Sequence, residues 1–283
     1  YIHATAPAVQ QAKTWRDTQP QDVALMNTIA SQPTAVWFGE WNVNVAGDVR
    51  GIVERGNASN TLPVLVAYNI PHRNCGQYSA GGAENAEKYI QWMQSFARGI
   101  GSYPAVVILE PDALAEIDCL TEMEVQERYA LLNEAVSILA ALPYADVYID
   151  AGNPKWIPVA EMAPRLQLAN LDKANGFALN VSNFFTDEEN IAYGSKLSRR
   201  LEGKHFVIDT SRNGNGPEKN GEWCNPPDRA LGRTPATTTD HPLLDAYLWI
   251  KMPGESDGPC NGGPDAGEWW PEYALELAGN AGS

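Results

Sequence analysis

Positive charge is scarce in this chain. It has 20 lysines and arginines against 35 aspartates and glutamates, a formal net charge of −15 over 283 residues. Phosphate backbones and anionic lipid surfaces are bound through a basic face, so neither a nucleic-acid partner nor a membrane surface is expected. Histidine is scarce as well: His3, His72, His205 and His241 are far apart. The four cysteines (Cys75, Cys119, Cys224 and Cys260) form no C-x-x-C pair, so no zinc or other metal site is expected. No apolar run approaches the ~20 residues of a membrane span. No signal peptide precedes Tyr1-Ile2-His3, so the chain is expected to be a mature or trimmed domain.

Other absences exclude whole reaction classes. Gly214-Asn-Gly216 lacks the spacing of a dinucleotide loop and precedes no helix, so no cofactor is expected. Gly254-Glu-Ser-Asp-Gly258 matches the G-x-S-x-G elbow of serine hydrolases, but that triad needs a histidine after the serine. The last histidine is His241, which disqualifies Ser256 as a nucleophile.

What is present is a globular composition, 44% hydrophobic with no low-complexity tract, long enough for one large barrel, read as a single domain over residues 1–283. Four well-separated cysteines allow three pairings. Taken in order, each pair closes a loop long enough for a bridge to contribute roughly 4 kcal/mol, so two disulfides and a secreted, extracellular protein are expected.

The chain is organised around Pro104 to Cys119. Ala105 to Leu109 is an unbroken apolar run, suited to a strand covered on both faces, and it meets Glu110-Pro111-Asp112. Proline cannot extend the ladder, so two carboxylates stand where a buried strand emerges. Further strands are predicted over Ala35–Phe38, Leu62–Tyr68, Asp146–Ile149, Phe177–Leu179, His205–Ile208 and Ala246–Lys251. Helices are predicted over Thr14–Gln32, Gly47–Ala58, the segment bearing Tyr89, Met93, Phe96 and Ile100, the segment opened by the capping box Thr121/Glu124, Asp187–Leu201 and Pro271–Ala278. Strands alternating with helices predict a parallel sheet with right-handed crossovers. Five strand ends carry carboxylates: Glu40, Glu110 with Asp112, Asp150, Asp209, and Glu255 with Asp257. On one barrel they share the rim where α/β folds place their chemistry. Acids also simply solvate strand ends, but five coincidences favour a working cluster.

Carboxylate pairs without metal ligands or a nucleophile triad suit acid–base work at glycosidic bonds. Nine tryptophans support this, because flat aromatic faces cover the apolar C–H faces of sugars. Trp37, Trp41, Trp156 and Trp223 lie near strand ends or in rim loops, whereas Trp249, inside a strand, is expected to pack in the core.

Six segments carry a more specific signal: Tyr68-Asn-Ile-Pro-His-Arg-Asn-Cys-Gly76, Val107-Ile-Leu-Glu-Pro-Asp112, Tyr148-Ile-Asp-Ala-Gly152, Ile208 to Pro217, Glu222-Trp-Cys224 and Trp249 to Gly258. Together and in this order they resemble glycoside hydrolase family 6. The resemblance implies an α/β fold, a distorted seven-stranded parallel β/α barrel of the TIM type. It implies inverting hydrolysis of β-1,4-glucan and the pairs Cys75–Cys119 and Cys224–Cys260. It assigns Asp112 as general acid, Asp257 as the proposed base, Asp150 as support for the distorted sugar, and Tyr68 as the residue pressing on the ring. Trp37, Arg73, Trp156, Asn183, Trp223, Lys251 and Glu255 match sugar-binding positions. Two residues depart from the pattern. Asn74 stands where Arg-Asp-Cys is usual, and an amide keeps the shape but cannot titrate; reduced activity or a variant made to trap substrate is implied. Asn153 stands where Asp-Ala-Gly-His is common. The expected enzyme is a monomeric endoglucanase acting on cellulose or cello-oligosaccharides. The alternatives are a cellobiohydrolase of the same family and a glucan-binding barrel without turnover.

Overall fold

Seven short strands run parallel, in chain order across the sheet: β1 (Val36–Phe38), β2 (Val64–Ala67), β3 (Ala105–Leu109), β4 (Ala145–Asp150), β5 (Gly176–Leu179), β6 (His205–Asp209) and β7 (Leu244–Leu248). The computed structural model describes residues 1–281. Among these described residues eight α-helices accompany the strands: α1 (Pro7–Trp15), α2 (Pro20–Ala30), α3 (Val45–Ala58), α4 (Ala86–Ile100), α5 (Glu122–Ala140), α6 (Val159–Leu168), α7 (Asp187–Arg200) and α8 (Pro271–Asn280).

The period-two alternation of the strands builds two apolar layers. Leu65, Val107, Leu109, Val147, Ile149, Phe177, Phe206 and Ile208 pack in the large core shared with the helices. Their neighbours Val66, Ile108, Tyr148, Ala178, Val207, Ala246 and Ile250 form a separate cluster on the other, inner face. The same alternation puts Tyr68 in the inner cluster and Asp150 two residues beyond Tyr148 on the inner side.

The curl stops short of a closed barrel. Among the described residues no ladder joins β7 to β1; the seam is bridged by Ala35 N donating to Trp249 O at 2.9 Å and Trp37 Nε1 donating to Ile250 O at 2.8 Å. Trp249 is buried as expected, although it stands one residue beyond the end of β7, with its Nε1 bonded to Arg233 O at 3.0 Å.

Three sequence expectations need correction. Thr14–Gln32 is not one helix but the end of α1 and all of α2, because Pro20 has no N–H to donate and drives Gln19 out of the helical region (φ −139°, ψ 62°). α6 was not foreseen, since Pro158 before it and Pro164 within it mask the pattern. β7 begins and ends earlier than Ala246–Lys251, because the amides of Ile250 and Lys251 donate to the Asp209 carboxylate instead of continuing a ladder. The capping box at Thr121 and Glu124 is present and opens α5.

Cys75 bonds Cys119 and Cys224 bonds Cys260, across sequence separations of 44 and 36 residues. Among the described residues, no helix is long and apolar enough to cross a membrane and no cluster of His, Cys, Asp and Glu is arranged to hold a metal.

Candidate active site

The exit of β3 is a strained turn. Glu110 and Asp112, on either side of Pro111, both have positive φ (48° and 69°), a conformation costing side-chain-bearing residues about 1–3 kcal/mol each. Buried hydrogen bonds hold it. The Glu110 carboxylate accepts from Asn69 N at 3.0 and 3.1 Å and from Ile70 N at 3.1 Å, tying the end of β3 to the loop after β2. Burial pushes the Glu110 carboxyl up to about 7, with those two amides pulling the other way. Glu110 is therefore built into the scaffold, and Asp112 is the acid left for the cleft.

Asp112 N donates to Asp150 Oδ2 at 2.9 Å, and Gly152 N donates to the same oxygen at 3.2 Å. Asp150 Oδ1 is buried without a hydrogen-bond partner. Burial and the neighbouring Asp112 charge raise the Asp150 carboxyl well above its ordinary range. Asp112 itself is raised to about 6, chiefly by burial, against the pull of the Arg73 charge and of a hydrogen bond from Tyr68. The charge on Asp112 thus disfavours ionisation of Asp150. Tyr68 is buried, and its own hydroxyl is held protonated by burial and by the Asp112 charge.

The other half of the site follows β7. Asp257 Oδ2 accepts from Arg212 Nη1 at 2.9 Å and from Asn225 N at 3.1 Å, while Lys251 Nζ lies 3.9 Å from Oδ1. Arg212 is fully buried and also donates to Ser182 O. Glu255 lies 3.9 Å from Lys251, and burial raises its carboxyl against the pull of the Lys251 charge. Asp209, which counted among the five rim acids, is a backbone clamp: its oxygens accept from the amides of Ser182, Ser211, Ile250 and Lys251. Ser256 is fully buried with its hydroxyl donating to Gly258 O and Pro264 O, which leaves it no nucleophilic role.

The aromatic residues divide similarly. The rings of Trp37 and Tyr68 meet edge to face with centroids 5.1 Å apart. Trp156 stands against Gly152, where an added Cβ would lie 3.4 Å from its ring, and the positive φ of 68° there suits glycine. Trp223 is exposed and lies 6.2 Å from Tyr78. Tyr78 in turn covers Gly258, where a Cβ would meet its ring at 2.5 Å. Residues around Trp223 and Tyr78 are tethered by the two different disulfides, so the pair spans two separately pinned loops. Asn183 sits on the loop after β5, its carbonyl contacted by Asn180 Nδ2 at 3.4 Å.

Arg73 has few donors left for a sugar. Its guanidinium bonds both Glu40 oxygens at 2.8 and 2.9 Å, Tyr68 O at 2.6 Å and Ser79 O at 2.9 Å, and its Cζ lies 4.2 Å from the Tyr68 ring centroid. Glu40, another rim acid, is consumed by this pairing. With its amide oriented to satisfy both ends, Asn74 accepts from Ser79 N at 2.8 Å and donates to Glu116 Oε1 at 3.2 Å. Asn153 is buried, its Oδ1 accepting from Lys155 N at 3.1 Å. Sequence reasoning missed Glu116, Tyr78 and the role of Arg212. The signal for Glu116 was its place four residues after Asp112; for Arg212 and Tyr78 the partners are remote in sequence, at Asp257 and Gly258.

The site thus gathers carboxyls raised by burial at Asp112 and Asp150, a further carboxylate, Asp257, held by Arg212, and the aromatic faces of Trp37, Tyr68 and Trp156. The chain belongs to the glycosyl hydrolases family 6, whose sequence profile matches residues 1–281. It is 48% identical over 278 residues to endoglucanase A of Cellulomonas fimi, covering 97% of this chain and 60% of that protein, so it spans about three fifths of that relative's length. It is 44% identical to endoglucanase 1 of Streptomyces halstedii, covering 94% of this chain and 85% of the relative. The endoglucanase Cel6 of Mycobacterium tuberculosis, solved in complex with methyl cellobiosyl-4-deoxy-4-thio-β-D-cellobioside, superposes with a TM-score of 0.96 at 44% identity, covering 100% of this chain and 97% of that one.

Proposed function

We propose that this chain is a single catalytic domain that hydrolyses internal β-1,4-glucosidic bonds of cellulose and related β-glucans with inversion. The observation that carries the reading is the placement of Asp112 in the turn at the exit of β3, its amide bonded to Asp150 at 2.9 Å, where burial raises its carboxyl to about 6 and leaves it a proton to deliver at mildly acidic pH. Asp112 protonates the leaving oxygen. Tyr68 and Asp150 bear on the sugar ring as it flattens toward an oxocarbenium ion.

Asp257 belongs on the attacking side. Arg212 and Asn225 N occupy its Oδ2, which leaves Oδ1, faced by Lys251, to order the attacking water or to take its proton through a further water. Trp37, Trp156 and Trp223 offer flat surfaces for glucose rings, and Lys251, Glu255 and Asn183 offer polar groups for their hydroxyls. An internal mode of attack is supported by relatives of 42–48% identity named endoglucanases, against 25–27% for those named exoglucanase or cellobiohydrolase. Two disulfides fit a protein exported from the cell.

Stereochemistry tests the reading. Water attacking opposite the departing group gives the α-anomer first, which asks for acid and base carboxyls about 6.5–9.5 Å apart rather than ~5 Å. Proton NMR of fresh cello-oligosaccharide digests is expected to show the α-anomer rising before mutarotation. Initial accumulation of the β-anomer would reject inversion and, with it, the water-ordering role of Asp257.

A further inference from the structure

Arg128 is a buried cation that the mechanism above leaves unused. α5 carries it in mid-helix, where a guanidinium facing the core has to find acceptors for its donors. It finds them in backbone carbonyls. Nη1 donates to Ala113 O at 2.9 Å, and Nη2 donates to Pro71 O at 2.8 Å and to His72 O at 3.1 Å. Ala113 directly follows Asp112, whereas Pro71 and His72 belong to the loop after β2, between Tyr68 and Arg73. A side chain from outside both segments therefore joins them.

The same two segments also meet on the other side of Asp112. The amides of Asn69 and Ile70 are held by the Glu110 carboxyl, and the carbonyls of Pro71 and His72 are held with Ala113 O by Arg128. Asp112 lies between these two anchors with a φ of 69°, a conformation that a residue with a side chain keeps only where its surroundings impose it. Arg165 provides a contrast. It too is buried, and it donates from α6 to Leu114 O at 2.7 Å, but its other partners are Asp118, on the same stretch, and Glu161, on its own helix. Arg165 thus steadies the turn without tying it to the Tyr68 loop. The rigid planar fork of Arg128 suits the task, because it addresses carbonyls on two segments in fixed directions, which a single ammonium does not.

We propose that Arg128 is a positioning residue for the general acid: by joining Ala113 O to the carbonyls of Pro71 and His72, it fixes the Asp112 turn against the loop that carries Tyr68. The proposal rests on Asp112 being the proton donor. Arg128 touches no substrate and moves no proton. What it sets is the distance and angle at which Asp112 meets the leaving oxygen. Proton transfer needs heavy atoms within about 2.6–3.2 Å of each other. A displacement of about 1 Å can cost on the order of 10²-fold in rate.

The test is turnover of a soluble cello-oligosaccharide by Arg128→Lys, which keeps the positive charge and loses the fork. kcat is expected to fall about 10–10²-fold while KM stays within about twofold. The loss should shrink to about twofold on an aryl cellotrioside whose leaving group needs no proton. Placed in Asp112→Ala, the same substitution should cost little further turnover, because the group it positions is gone. A merely structural arginine would lower the urea midpoint and leave kcat of the folded enzyme unchanged. That result overturns the proposal, as do equal losses on the two substrates or the same further loss in both backgrounds. Should Arg128→Lys not fold, Glu110→Gln loosens the other anchor, since either orientation of its amide sets an NH₂ against Asn69 N. It should show the same selective loss on the cello-oligosaccharide, and its absence overturns the proposal. Asp112→Ala alone separates the underlying assignment, because full activity in that variant removes the acid role whatever Arg128 does.

Discussion

Asp112→Ala lowers turnover of cellulose by about 10²–10⁴-fold while cello-oligosaccharides still bind, the size expected for loss of a general acid. In the proposed mechanism Asp112 meets the leaving oxygen and not the sugar hydroxyls, so KM should change little. An aryl cellotrioside with a good leaving group recovers much of the rate, since departure no longer waits for a proton. In the unmodified enzyme the donor form of Asp112 is present below its raised value of about 6, so the rate falls as pH climbs through that region. In Asp112→Ala this alkaline limb disappears. Initial rates on both substrates across pH 4–8 provide the measurement; equal losses on both substrates would assign Asp112 a role other than proton donor.

Arg212→Met produces the second large effect, this time on the folded state. Arg212 is fully buried, and its partner Asp257 keeps about 8% of its surface exposed. Removing one member of such a pair leaves the other charge without its main partner, at a cost of about 3–5 kcal/mol. Lys251, 3.9 Å from the other Asp257 oxygen, is too distant to replace a bond of 2.9 Å. Urea unfolding should show that loss, and Arg212→Met/Asp257→Asn should regain much of the stability without regaining activity. A single variant within about 1 kcal/mol of the parent would show that Asp257 is satisfied without the guanidinium.

The fold was legible where one residue type has one meaning. An apolar run ended by proline fixed β3 to the residue, and Thr121 with Glu124 marked the start of α5. Legibility failed where proline has two meanings, as a breaker at Pro20 and as a residue tolerated in α6 at Pro164. Rim position did not by itself separate working acids from structural ones. Glu40, Glu110 and Asp209 stand at strand ends like Asp112 and Asp150, but both oxygens of each are taken by a guanidinium or by backbone amides, whereas Asp150 keeps Oδ1 without a partner. Such assignments depend on partners distant in sequence, and no spacing rule reports them.

The seam between β7 and β1 has a consequence for how the site comes into being. Among the described residues each strand pairs only with its predecessor and successor in the chain, so the sheet can be extended one crossover at a time from its N-terminal edge. Asp112, the proposed proton donor, has its Asn69, Ile70 and Asp150 contacts in place once β2, β3 and β4 have docked. Lys251 and Asp257 follow β7, and the two bonds across the seam cannot form until Trp249 and Ile250 reach Ala35 and Trp37. A nascent chain stopped before residue 249 would carry the acid without the attacking half of the site, so the ability to cut arrives with the last strand, all at once.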